Sequence, residues 1–304
     1  MPAQHVPSAR QAVQVAAPAA FVYRLLADAR LWPLLTPGHL HAERIDFDGV
    51  QERLWTWELA PDRLRCTQAR RVLDPRARSI GFEQHSPGRP GSRTAGHWSV
   101  EPLDPQRSLL TLHQERRGPH SLETAPGAQL DWVRRAAEHW ADLDELLFSF
   151  EERTYVPGPA EVVHGFLYRV RDWAALRSQV VRAQVRQYQP GLQVATVDSA
   201  AGPLGRRPVT VETAWLCFPH AGRILHKDLR SPAPIAAHTG EWSLEPDRHG
   251  VTVTASHRVL LRPQAPPAAL PQLRRQVRQW LAAATAETMA LAAQHARDTA
   301  RRRP

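Results

Sequence analysis

The feature that most constrains this chain is that its second half retells its first. Ala17 to Leu35 (APAAFVYRLLADARLWPLL) is matched by Gly158 to Leu176 (GPAEVVHGFLYRVRDWAAL). Arg78 to Pro87 (RSIGFEQHSP) is matched by Arg223 to Pro232 (RILHKDLRSP), and Thr94 to Asp104 (TAGHWSVEPLD) by His238 to Asp247 (HTGEWSLEPD). The order is kept, and Arg78 and Arg223 stand 145 residues apart. Solenoid repeats run to roughly 20–50 residues, so this period means a duplicated domain. Each copy is long enough to bury its own core. The boundary is expected after residue 149, giving an N-terminal domain of residues 1–149 and a C-terminal domain of residues 150–304.

Both copies follow one plan. A short strand (Gln11 to Val15; Glu151 to Val156) leads to a proline at a helix start, where its missing N–H is harmless. The first such helix carries Phe21, Val22, Leu25 and Leu26 at helical spacing. It breaks at a segment holding Trp32, or Trp173 in copy two. RLWTWEL, TVETAWLCF and VTVTASHRVLL alternate as strands do. Long helices over Gln129 to Phe148 and Leu270 to His295 close the two copies. The pattern predicts an α+β fold, twice in tandem: a curved antiparallel sheet wrapped around a long C-terminal helix. Such a sheet leaves a cleft lined by inward side chains.

Composition removes several alternatives. With 42% hydrophobic residues and ten tryptophans the chain is globular. No apolar run approaches the ~20 residues that span a bilayer, and the first residues lack a secretory layout, so a cytoplasmic protein with no membrane partner is expected. Cys66 and Cys217 read as core residues rather than a bridge. No Cys/His spacing suggests zinc, and there is no phosphate loop, so neither metal nor cofactor is expected. The net charge of +9 would suit nucleic acid. Yet the arginines are spread along the chain and cluster tightly only in the tail RRRP, which suits an acidic protein partner as well.

Lys227 is the chain's only lysine. If Leu225 and Leu229 face the interior, strand alternation turns Lys227 inward, with Ile224, His226, Asp228 and Arg230 opposite. A buried amine can act as a base or polarise a carbonyl; the alternative is a stem that snorkels to a strand edge.

With these residues in view the chain resembles the di-domain polyketide aromatase/cyclases of the START-type helix-grip superfamily. The resemblance rests on ARLWPLL, ARRVLDP (Ala69 to Pro75) and GHWSVEP in copy one, and on GRILHKDLRSP and HTGEWSLEP in copy two. It implies an enzyme without cofactor that receives a poly-β-ketone from an acyl carrier protein, beside a ketosynthase and ketoreductase. The enzyme would close the first ring by aldol chemistry, C7–C12 on a C9-reduced chain, and dehydrate it. A non-catalytic module sheltering a polyketide or lipid is the alternative. By the resemblance Arg71 anchors carbonyl or enolate oxygens, although a one-residue slip would put Arg70 there, and Arg71 could instead pair with Asp74 at the surface. Copy two has no matching arginine, so either it works differently, with His220 or Lys227, or only one copy does this job. His257, aligned with Gln114, is the candidate acid/base, or else a half-exposed strand histidine. Trp98 and Trp242 are placed in the cavity wall; Trp32, Trp173, Trp215, His238, Phe82 and Gln84 are further lining candidates, although the recurring tryptophans suit an ordinary core equally well and His238 reads also as structural. Trp55 and Trp57, which share a strand face, and His39 complete the candidates. Glu138, His139, Thr285 and Thr288 are the polar residues of the closing helices expected to face the cleft.

Overall fold

A computed structural model describes residues 8–60, 63–87, 91–117, 126–139, 141–263 and 267–302; the very start of the chain and the end of the arginine tail lie outside them. Two compact units divide between Asp142 and Leu143.

In the first unit the strands are β1 (Ser8–Val15), β2 (His39–Phe47), β3 (Gln51–Leu59), β4 (Leu64–Asp74), β5 (Ser79–His85), β6 (Arg93–Asp104) and β7 (Arg107–Arg117). They form one antiparallel sheet in the order β1-β7-β6-β5-β4-β3-β2. Between β1 and β2 lie α1 (Ala19–Ala27) and α2 (Trp32–Leu35). Pro18 caps α1, and Phe21, Val22, Leu25 and Leu26 are its buried stripe, as their spacing requires. Directly paired residues share a face, so Glu52, Arg71, Phe82, Gly96 and Gln114 lie in one row across the sheet. Helix α3 (Pro126–Ala137) covers that face, with its Gln129 hydrogen-bonded to Gln114.

Copy one does not close with the single helix expected over Gln129 to Phe148. The chain leaves α3 at Ala137, turns, forms the short α4 (Leu143–Leu146), and enters β8 (Leu147–Pro157). Glu138 and His139 are exposed and do not face the cleft. Phe148 belongs to β8, where it pairs with Val259 while Phe150 pairs with His257. The long strand opposite needs an antiparallel partner, and that pairing outcompetes helix propensity.

The second unit repeats the design. After β8 come α5 (Ala160–Tyr168) and α6 (Val170–Ala174), then β9 (Val180–Gln189), β10 (Leu192–Ser199), β11 (Val209–Phe218), β12 (Arg223–Arg230), β13 (Ile235–Pro246) and β14 (Gly250–Leu261). The sheet order is β8-β14-β13-β12-β11-β10-β9, the same as in the first unit. Its closing helix α7 (Leu270–Arg302) runs past the expected end at His295.

Candidate active site

The inner face of the first sheet borders a cavity of about 440 Å³. Arg71 reaches it from the middle of β4 and is only 4% exposed. Its Nε donates to Glu52 Oε1 at 2.6 Å, Nη1 to Leu26 O at 2.7 Å and Nη2 to Ala27 O at 2.6 Å. Nη2 also pairs with Glu52. The end of α1 therefore supplies the carbonyls that hold the guanidinium, and the Trp32 ring lies 5.0 Å beneath it. A guanidinium has five N–H groups. Three donate hydrogen bonds here, and the second N–H of Nη1 is not among them. Burial lowers the Arg71 pKa, opposed by Glu52. Arg44 Nε also donates to Glu52, at 2.5 Å, so two guanidinium groups share one carboxylate and the cluster stays positive. Arg70 pairs across the sheet with Arg53 and Glu83 on the opposite face. The slip is thereby resolved in favour of Arg71, and its surface pairing with Asp74 is replaced by the buried pair with Glu52.

Trp32, His39, Phe82, Gln84, Trp98 and Gln114 join Arg71 around the cavity, as expected. His39 contacts Thr36 Oγ1 through Nδ1 at 2.7 Å and Glu58 Oε1 through Nε2 at 2.8 Å. Burial works against the Glu58 carboxylate, but the His39 hydrogen bond and charge, with Arg65, outweigh it and hold its pKa below the usual range. Gln114, 1% exposed, donates to Gln129 Oε1 at 3.0 Å, while its own Oε1 is buried without a partner. Gln129 and Trp132 of α3, Thr94, and the arginines at 65, 93, 116 and 135 also line the cavity. Sequence reasoning missed Glu52 and Glu58. Both alternate with tryptophans on β3, a signal that pointed to them once the face was known.

That same alternation overturns Trp55 and Trp57. They do share a face, but it is the one opposite Glu52, Leu54 and Thr56, so neither joins the cavity wall. Trp55 is 37% exposed, and Trp57 packs on His41 with ring centroids 5.4 Å apart.

Register also corrects the alignment of the copies. Ile80 stands opposite Trp98 and Phe82 opposite Gly96; Ile224 stands opposite Trp242 and His226 opposite Gly240. Phe82 therefore corresponds to His226, not to Lys227. Lys227 pairs with Ala214 and Thr239 on the face away from α7. It is buried as expected, and burial pulls its pKa down to about 7 against the pull of Asp228, but it does not face the interior. One residue of register reverses every side chain of a strand. His220, in the turn beyond β11, is exposed.

Row by row, the second unit replaces the first unit's polar anchor. Arg71 pairs with Phe82 and Glu52, whereas Trp215 pairs with His226 and Gln193. Trp215 thus stands where Arg71 does, and Gln193 stands for Glu52, its Nε2 donating to Tyr168 O at 2.7 Å. Trp173, Trp215 and Trp242 are all buried and pack together, with centroids 5.1–5.8 Å apart. These three expected wall residues belong to one packed core. His257 faces this interior and is 3% exposed, not half-exposed. His238 Nε2 lies 3.0 Å from His257 Nδ1, Asp228 Oδ2 lies 3.1 Å from His238 Nδ1, and Thr285 Oγ1 lies 3.1 Å from His257 Nε2. Burial, helped by His238, pushes the His257 pKa down to about 3 and that of the fully enclosed His226 well below the usual value. Thr285 thus meets the interior as expected, and Thr288 is buried with its hydroxyl on Ala284 O.

The model of the family "Polyketide cyclase / dehydrase and lipid transport" matches residues 7–144. Over 96% of the chain the fold is that of StfQ, a di-domain ARO/CYC from the steffimycin biosynthetic pathway, with a TM-score of 0.78, 25% identity and 99% of that chain covered. The chain is similar along nearly its whole length to di-domain polyketide aromatase/cyclases. A second di-domain ARO/CYC, BexL, superposes with a TM-score of 0.74 at 29% identity, covering 95% of this chain and 98% of its own. The granaticin polyketide synthase bifunctional cyclase/dehydratase of Streptomyces virginiae is 29% identical over 265 residues, 81% of this chain and 84% of its own. The fold shared with these proteins accounts for the helix-covered sheets. Among the described residues no helix is long and apolar enough to cross a membrane.

Proposed function

We propose that the first unit is a polyketide cyclase/dehydratase that receives a poly-β-ketone from an acyl carrier protein, closes its first ring by aldol condensation and eliminates water. The observation that carries this reading is Arg71, buried, held by three hydrogen bonds, net positive with its neighbours, and lining the cavity. Aldol closure moves negative charge onto oxygen, and a donor fixed before the reaction stabilises that charge without reorganising. The His39–Glu58 pair is the titratable couple lining the same cavity and serves as its acid/base. Trp32, Phe82 and Trp98 supply flat apolar walls that fold the chain into a reactive conformer. The four other cavity arginines suit the phosphate of a carrier-tethered substrate and an acidic carrier protein. Within this reading the ring closed is C7–C12 on a C9-reduced chain, delivered after the ketosynthase and ketoreductase, without metal or organic cofactor.

Reconstitution with a minimal synthase, ketoreductase and carrier protein tests it. Adding the protein should replace shunt products with the cyclised, aromatised first ring. Arg71→Met should lower turnover about 10²–10³-fold while substrate still binds. Unchanged shunt products on adding the native protein would refute catalysis. Loss of affinity alone in the variant would identify a carrier module.

A further inference from the structure

We propose that His226, His238 and His257 form a binding site for one borderline divalent metal ion of the Zn²⁺ class, inside the second unit. The residues lie 12 and 19 positions apart, a spacing no local motif would reveal. Strands β12, β13 and β14 bring them together beneath α7. One ring nitrogen of each lies within 4.8 Å of the other two. Two imidazole nitrogens on a tetrahedral ion at 2.0–2.1 Å stand roughly 3.3 Å apart, so side-chain rotation of about 1.5 Å completes the set.

The surroundings resemble those of built metal sites. A metal-bound histidine usually passes its other ring N–H to an outer oxygen, which fixes the tautomer. Asp228 occupies that position for His238, and Thr285 for His257. Asp228 is itself anchored, accepting from Thr213 Oγ1 at 2.9 Å. With His238 keeping its proton on Nδ1 and donating it as a hydrogen bond to the Asp228 carboxylate, its Nε2 presents a lone pair to His257 Nδ1 at 3.0 Å. Without an ion, His257 must carry its proton on Nδ1 to satisfy that lone pair, and Nε2 then accepts from Thr285. With an ion, the proton sits on Nε2 and is donated to Thr285, and both lone pairs converge on the metal. Passage between the two states needs a tautomer change, a turn of one hydroxyl and the small side-chain rotation given above. The protein's own proton count is unchanged, and the Asp228 carboxylate behind His238 offsets part of the ion's charge.

Gly240 makes room for the His226 ring, as Gly96 does for Phe82 in the first unit: a Cβ there would lie 2.3 Å from His226 Nε2. One further observation points to an occupant. The indole N–H groups of Trp215 and Trp242, whose rings flank His226 at 4.8 and 6.2 Å, are buried without an acceptor. A water or small anion completing a metal's coordination supplies that acceptor.

The first sheet provides substitutions the fold already accommodates in corresponding places: His226→Phe, His238→Thr and His257→Gln. The full chain is stripped with chelator and titrated with Co²⁺, following visible ligand-field absorption and bound metal by mass spectrometry, with circular dichroism confirming folding. One Co²⁺ per native chain, tetrahedral or five-coordinate in spectrum and displaced by Zn²⁺, is expected. Each substitution should abolish it, and Asp228→Asn should weaken it 10–100-fold. Less than one equivalent bound, a spectrum like that of the aqua ion, or undiminished binding in a folded histidine variant would each overturn the proposal. None of these readouts depends on cyclase activity, so the site stands or falls separately from the reaction proposed above.

Discussion

At Arg71, what the interior tolerates depends on its partner. A buried charge is stable here because Glu52, two α1 carbonyls and a tryptophan face surround it. Removing only the arginine leaves Glu52, which has no exposed side-chain surface, with Arg44 as its remaining guanidinium partner. Breaking one side of a buried pair is expensive, whereas replacing both members can be neutral. Arg71→Met should therefore cost about 3 kcal/mol in urea unfolding. Glu52→Gln combined with Arg71→Met should recover most of that stability without recovering turnover. The second unit offers the precedent, since Gln193 and Trp215 occupy those two positions in a buried core. A double variant no more stable than the single one would count against this account.

At the level of the strand, one glycine per copy lets a ring lie across the sheet. Gly96 faces Phe82, and a Cβ would fall 2.1 Å from His113 O and 3.0 Å from the Phe82 ring. Gly240 does the same for His226. Gly81, on the neighbouring strand but the other face, has nothing nearer than 4.0 Å. Thermal unfolding should show Gly96→Ala destabilised by about 1–3 kcal/mol or more, because backbone cannot yield as a side-chain tip can. Gly81→Ala should be neutral or slightly stabilising, since alanine loses less chain entropy in a strand. Equal effects at the two sites would mean that close packing is not what selects glycine at Gly96.

For the whole molecule, pH is the test of how much charge the interior has given up. Lys227 titrates near 7 in the fold against an ordinary value of 10.5, so the unfolded chain binds more protons between those limits. Stability from this group is complete above 10.5 and declines as pH falls through 7. His257, held near 3 against 6.5, acts likewise from 6.5 downward. Chemical denaturation from pH 11 to 4 should show two declines, with Lys227→Met flattening the upper one and His257→Gln the lower. A native profile that rose as pH fell would show that neither burial is real.

The duplication, the strand alternation and the α1 stripe were all legible in the sequence, because local periodicity and repetition are written residue by residue. The partners of those residues were not. Whether Lys227 or His226 faces inward, whether Trp55 or Glu52 does, and whether Phe148 ends a helix or begins a strand depend on pairing with segments far along the chain. A single step of register exchanges the two faces of a strand. Sequence therefore determined that two helix-covered sheets would form from two copies of one plan. Only tertiary pairing decided that one sheet would keep a charged cavity while the other filled its interior with tryptophan and histidine, since burial is a property of what a side chain meets across the fold.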